Sequence, residues 1–405
     1  MFLSLKKNSF LILTLAALAV FTRPVSAETC NHTQSFADWL EIVKADAASA
    51  GVSRGTIETV LASVRYDPSI VRRDRARGVF AQDFLTFSGR MVSSHRMQHG
   101  AKRLKQYASI FKRIEQEYGV PAPVITAFWG LETDYGANSG DDRIMGALAT
   151  LAYDCRRPEM FREQLIAALK IVDRGDLSLD QLVGAWAGEL GQTQFLPTHY
   201  TEFGVDYDGD GQVNLRNSVP DVLASTAKLI RHYGWQAGEP WLEEVSVAGE
   251  LPWQEAELTI RHPRAQWAKW GVTRRNGEPL PADNVPTALL LPMGRHGPAF
   301  LAYPNFDVYT QWNQSLVYAT TAAYFATRLA GAPRYDKGKP GIPAYGLNET
   351  KQLQELLTRS GYDVGDVDGI IGEKTRQAIR QAQIKFGLPA DSYPSDALFS
   401  RLRGS

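Results

Sequence analysis

Cysteine is nearly absent from these 405 residues, occurring only as Cys30 and Cys155. Two cysteines exclude a disulfide-dense scaffold, a four-cysteine zinc site and a CxxC redox motif. Charge of one sign is lacking too. The 44 Lys and Arg residues balance 44 Asp and Glu, which argues against a polybasic surface and a nucleic-acid partner. The seven histidines show no His-Glu-x-x-His spacing, and there is no phosphate-binding Gly-rich loop or Ser elbow. Zinc hydrolase, serine hydrolase and NTPase chemistries therefore lack their minimum parts. Long apolar runs are also missing. Phe10 to Val20 is about half of the roughly 20 residues that span a bilayer.

That short run sits between Lys6-Lys7 and the small-x-small triplet Val25-Ser26-Ala27, the pattern of a cleaved export signal over residues 1–27. A soluble, periplasmic protein without a retained membrane anchor is the expectation. In an oxidising compartment, Cys30 and Cys155 are candidates for one disulfide; two buried thiols are the alternative.

The mature length fits two or three domains. Helical spacing runs through Phe36 to Val64, Gly100 to Gly119, Met145 to Leu151, Phe161 to Val172, Leu179 to Trp186, Val222 to Tyr233 and Asn313 to Leu329. Residues 236–303 are rich in Pro, Gly and Trp, with strand-like runs at Thr287 to Leu291 and Phe300 to Tyr303. Residues 331–345 have the composition of a linker. Beyond it, Asn348 to Arg359, Glu373 to Phe386 and Ser395 to Leu402 outline three short helices in residues 346–405. The fold class is mainly α with some β: a helical domain over residues 28–330 carrying a small strand-bearing insertion, then a three-helix appendage.

One glutamate is the most informative residue. Glu132 ends the apolar stretch from Pro121, and in a helix Ile125, Phe128 and Trp129 share its face. Desolvation there raises a carboxyl pKa, as a general acid at neutral pH requires. A solvent-facing Glu at a helix end is the alternative. Asp134, two residues on, falls on the opposite face, with Gly136 as the expected helix breaker.

Gly188 to Pro197 places Gln192 and Gln194 between glycines, where backbone can approach a ligand and amides can bond sugar hydroxyls. A polar interhelical turn would look the same. Glu189 in this run is the nearest alternative carboxylate. Trp312 to Tyr318 opens a helix, and Asn313 or Ser315 could simply cap it. Asp206, Asp208 and Asp210 with Gly211 match the start of a calcium loop. Position 12 is Asn217 instead of Glu, so Gln212 and Asp221 complete the candidate ligand set. An unmetallated acidic turn is the competing reading, and no cofactor other than structural calcium is expected.

Taken together, Phe128 to Gly136, Ala147 to Tyr153, Gly191 to Pro197, Tyr303 to Phe306 and Asn313 to Ala319 resemble the lytic transglycosylase B family of peptidoglycan-cleaving enzymes. The resemblance implies a lysozyme-like helical fold with Glu132 as the single catalytic acid/base and Gln194, Asn313 and Tyr318 in the groove. The candidate substrate-binding set is Tyr135, Gln192, Gln194, Trp312, Asn313 and Tyr318. Gln192-Thr193 departs from the family, whose other members carry Tyr-Gly there. Val367 to Thr375 resembles the peptidoglycan-binding module often appended to wall enzymes, with Gln381-Ala-Gln in place of the usual Phe-Gln. The implied partners are glycan strands, with other cell-wall enzymes as further candidates. The implied reaction is lytic cleavage to a 1,6-anhydromuramoyl end. Lysozyme-type hydrolysis, with Glu189 or Asp134 as second acid, and an inert wall-binding scaffold are the alternatives.

Overall fold

The computed structural model describes residues 34–75 and 82–404. The expected export signal over residues 1–27 and Cys30, and with Cys30 the expected bridge to Cys155, lie outside the described residues.

The helical domain is built around one helix, Ala122–Thr133. Pro121 precedes it and Pro123 sits in its first turn, where a missing N–H costs nothing. Val124 to Leu131 are all buried, a pattern that belongs to a helix enclosed on every side. The helices Ser94–Gln106, Ala108–Tyr118, Val219–His232 and Leu316–Leu329 surround it. The enclosure explains how a carboxylate near its end can be desolvated.

Several expected boundaries shift for identifiable reasons. Phe36 to Val64 divides into Phe36–Ser49 and Arg54–Leu61, because Gly51 turns at φ 88° and Ser53 caps the second helix through Thr56 N. The second helical run divides at Tyr107, between Ser94–Gln106 and Ala108–Tyr118. The final run of the domain begins only at Leu316, capped by Ser315, while Asn313 is extended. Pro68–Arg75 and Phe84–Met91 are helices that periodicity did not single out.

Leu179 to Trp186 is not a helix. It is a turn leading to the two-residue strand Val183–Gly184, paired with Asp142–Arg143. Its apolar spacing mimics a helix, but Gly184 packs so close to Glu189 O that a Cβ would lie 2.1 Å from it. That approach commits the segment to the 184–195 loop, where bridges join Gly184 to Leu190 and Leu190 to Phe195.

The strand-bearing insertion is a five-stranded antiparallel sheet. Its spatial order is His262–Pro263, Pro286–Leu290, Ala299–Ala302, Leu242–Val247, Val272–Arg274. Period-two alternation divides its side chains between two cores. Ala288, Leu290, Phe300 and Ala302 join the helical core, while Leu289, Leu291, Ala299 and Leu301 pack on Trp253 and Trp267. A slip of one residue would exchange the faces.

The C-terminal helices Leu347–Arg359, Glu373–Lys385 and Asp396–Arg403 enclose a third core around Leu353, Leu357, Ile379 and Leu398. This unit is docked on the insertion. Arg376 donates to Leu291 O (3.2 Å), Arg380 to Gln254 O (2.8 Å), and buried Ser392 to Glu257 (2.7 Å). The preceding segment is tied down as well, Asp336 N bonding Glu244 and Tyr335 bonding Ser88.

Candidate active site

Glu132 lies in the last turn of the Ala122–Thr133 helix. The helix ends because Asp134 (φ 51°) and Tyr135 (φ 63°) both take left-handed backbone. Asp134 N bonds Gly130 O and Tyr135 N bonds Trp129 O, satisfying the final carbonyls. Two consecutive non-glycine residues there cost about 1–2 kcal/mol each, so something must hold them. Arg96 does: its Nε donates to Asp134 Oδ1 at 2.6 Å, and its carbonyl accepts from Tyr135 OH at 2.7 Å. The stop therefore comes before Gly136, and Asp134 faces Arg96 rather than Glu132.

Among the described residues, hydrogen bonds hold the Glu132 carboxyl at one oxygen. Oε1 accepts from Trp312 Nε1 at 2.9 Å and from Tyr318 OH. Trp312 is fixed in turn by stacking on Phe128, ring centroids 4.2 Å apart. With both donors on Oε1, the proton of the acid form belongs on Oε2. Burial is the main cause that pushes the carboxyl up to about 7. The two hydrogen bonds oppose it by favouring the anion, and the charge of Glu189 adds to the rise.

This carboxyl lines a cavity of about 440 Å³ shared with Trp186, Glu189, Gln194, Tyr233 and Asn313. Gln194 adopts φ 52°, its amide donating to Gly191 O at 2.9 Å. Asn313 Oδ1 accepts from Ser315 N, so it caps the next helix and lines the cavity at once. Of the sequence candidates, Glu132, Gln194, Trp312, Asn313 and Tyr318 converge.

Two do not. Gln192 is buried, its Oε1 accepting from Trp129 Nε1 (2.8 Å) and its Nε2 donating to Arg216 O (2.9 Å). Its amide is a strut between the central helix and the 211–217 loop. Tyr135 is 5% exposed and packs edge-on against Trp129, with its hydroxyl spent on Arg96. Sequence reasoning assigned both to substrate because neighbours in sequence of a site residue need not share its direction.

Trp186, His199 and Tyr233 were missed. Trp186 was absorbed into an apolar run read as a helix. Arg73 stacks over it at 5.7 Å while pairing with Asp142, which leaves an aromatic ring braced at the cavity wall.

The acidic loop gathers the carboxylates of Asp206, Asp208 and Asp210, with ligand oxygens within 4.8 Å of one another. Their chemistry and exposure fit a hard divalent cation with oxygen ligands. Asp221 serves differently: it is fully buried, and its oxygens accept from the backbone N–H groups of Tyr207 and Asn214 (both 2.8 Å). It closes the loop from within, which corrects its place in the ligand set. Gln212, two residues after Asp210, is exposed.

The sequence profile of the transglycosylase SLT domain matches residues 35–327, and that of the putative peptidoglycan binding domain matches residues 347–402. The membrane-bound lytic murein transglycosylase B of Escherichia coli (strain K12) is 32% identical over 238 residues, covering 58% of this chain. The match spans 64% of that relative's length. Among solved structures, SltB3 from Pseudomonas aeruginosa in complex with NAG-anhNAM-pentapeptide is 40% identical, with a TM-score of 0.84. That superposition covers 91% of this chain and 100% of the other. The Escherichia coli lytic transglycosylase SLT35 in complex with calcium is 27% identical, with a TM-score of 0.62, covering 74% and 93%.

Proposed function

The chain belongs to the transglycosylase SLT domain family, and from that premise we propose that it cleaves the β-1,4 bond between N-acetylmuramic acid and N-acetylglucosamine in peptidoglycan. The observation that carries this reading is the enclosed Glu132 carboxyl, held by Trp312 and Tyr318 through one oxygen and pushed up to about 7. At neutral pH such a group can both give and take a proton.

Protonated Glu132 delivers its Oε2 proton to the glycosidic oxygen as the bond to C1 breaks and positive charge develops at that carbon. The C6 hydroxyl of the same muramic acid then forms the new bond to C1, and its proton returns to the carboxylate. No water is consumed, and the product end is a 1,6-anhydro sugar. Intramolecular attack has a high effective concentration, so no water-activating base is required. Asp134 is committed to Arg96 and is not placed for that second role.

Glu189 lines the same cavity, and this favours lysozyme-type hydrolysis as the second reading. Mass spectrometry of digested sacculi separates the two, because the anhydro product is lighter by one water. The lytic reading expects anhydro ends, and their loss in Glu132→Gln; reducing ends alone, or undiminished turnover in that variant, would reject it.

The export-signal pattern of residues 1–27 and the similarity of residues 347–402 to a peptidoglycan binding domain support a wall-directed role. We also propose a structural calcium ion on Asp206, Asp208 and Asp210. It would brace the loop whose far side carries the Arg216 carbonyl that receives Gln192.

A further inference from the structure

A second cavity adjoins the one that holds Glu132. It measures about 540 Å³, and its walls include Gly136, Asn138, Ser139, Asp141, Arg216 and Asn217; sites of that size take small ligands. Gln194 links the two cavities: it lines the first, and its amide donates to Ser139 O, in the second, at 3.3 Å. The walls are pinned by neighbouring elements. Gly136 N donates to Thr133 Oγ1 (2.8 Å) and Asn138 N to Thr133 O (2.9 Å), so one wall extends the helix that carries Glu132. Gly140 turns at φ 80°, where a Cβ would lie 2.2 Å from Gly184 O. Arg216 is fixed twice, its carbonyl accepting from Gln192 Nε2 and its Nη1 donating to Val183 O, both at 2.9 Å.

The chemistry of this cavity differs from that of its neighbour. Trp186, Tyr233 and Trp312 give the Glu132 cavity aromatic walls suited to sugar rings. No aromatic ring is among the described residues that line the second. It offers a guanidinium instead, and among the described residues no carboxylate lies within ion-pair distance of Arg216. We propose that this cavity receives the peptide substituent of a muramic acid seated beside Glu132, with Arg216 pairing a peptide carboxylate; the assignment rests on the peptidoglycan reading above. Muramic acid carries its peptide on a lactyl ether of the ring that reacts, so the substituent needs an outlet from the Glu132 cavity, and the polar cavity past Gln194 supplies one. With Nη1 anchored on Val183, the free Nε and Nη2 of Arg216 are held ready for a carboxylate, the partner that a planar guanidinium bonds most strongly. Asn138, Ser139 and Asn217 carry the donors and acceptors that peptide amides require. Asp141 lines the same cavity and provides the opposite charge for a peptide ammonium.

The test compares uncross-linked glycan strands whose peptides are intact with the same strands stripped by an amidase. For Arg216→Gln in the full chain, KM on peptide-bearing strands rises about tenfold, the worth of one charge-assisted pair. The stripped strands keep their parent KM, kcat changes little on either substrate, and Arg216→Lys recovers part of the loss. Asn217→Asp leaves the Arg216 bonds in place but sets a second carboxylate in the cavity, so it raises KM on peptide-bearing strands alone. That variant decides the matter if Arg216→Gln fails to fold. Equal losses on both substrates would overturn the proposal, since the cavity would then serve the glycan or the fold. An unchanged KM on peptide-bearing strands in the folded variants would overturn it too. Calorimetric titration with a disaccharide-peptide and with the peptide-free disaccharide reads the same contrast without turnover. Failure of the lytic reading, seen as reducing ends alone or as retained turnover in Glu132→Gln, is therefore distinguishable from failure of this one.

Discussion

At the residue scale, the site sets stability against function. Glu132 has an ordinary carboxyl pKa in the unfolded chain and one of about 7 when folded. Between those values the native state binds the extra proton, so stability falls as pH rises through the window and the loss is complete above it. The shift corresponds to at most about 3 kcal/mol. Glu132→Gln removes the ionisable group while keeping the shape. The variant is expected to denature at a higher temperature than the parent at pH 8, with the difference vanishing near pH 4; calorimetry at both pH values measures it. Equal denaturation temperatures at pH 8 would show that the carboxyl is better solvated than its enclosure implies. The same scale holds the clearest failures of sequence reading. Gln192 and Tyr135 are polar residues beside the site in sequence, yet their polar atoms are consumed by Trp129, Arg216 and Arg96.

At the scale of elements, function depends on how one helix ends and what supports the loop across from it. Arg96 holds the left-handed turn after Glu132, and Thr133 Oγ1 donates to Gln192 O at 2.6 Å, linking that turn to the 191–217 region. The acidic loop lies in the same region, with Asp221 at its centre accepting backbone N–H groups. Its three clustered carboxylates repel one another unless a cation sits between them. Millimolar calcium is therefore expected to raise the denaturation temperature by roughly 3 °C or more, and Asp208→Asn to abolish most of that gain. Identical thermal scans with calcium and with chelator would reject the metal. Much at this scale was legible beforehand. The helix carrying Glu132, two of the five strands of the insertion's sheet and the three C-terminal helices follow from periodicity, while the longest strand, Leu242–Val247, was not singled out. Leu179 to Trp186 was misread because glycine-enabled packing against Glu189 is a tertiary event, invisible in the spacing of apolar residues.

For the whole molecule, the C-terminal unit is a docked domain. Arg376, Arg380 and Ser392 bond the insertion, and Glu257 is buried beneath Ser392. Removing residues 346–405 uncovers that carboxylate and the apolar surface around Met293. The truncated protein is expected to pellet less with insoluble wall and to unfold at a lower temperature than the full chain. Unchanged retention on sacculi, measured by sedimentation, would deny the unit a role in wall binding; an unchanged unfolding temperature would deny the docking its energetic weight.

Local chemistry by itself determined most of the helical segments, the strand-bearing character of residues 236–303, and that Glu132 closes an apolar stretch. Those properties depend on neighbours within a few residues, and period and composition record them. Which polar groups meet was decided only when distant segments packed. Trp312 and Tyr318, some 180 residues from Glu132 along the chain, select one of its oxygens, while Gln192 is drawn inward and Glu189 is left facing the cavity. A hydrogen bond is satisfied by direction in space, and direction is a property of the folded whole.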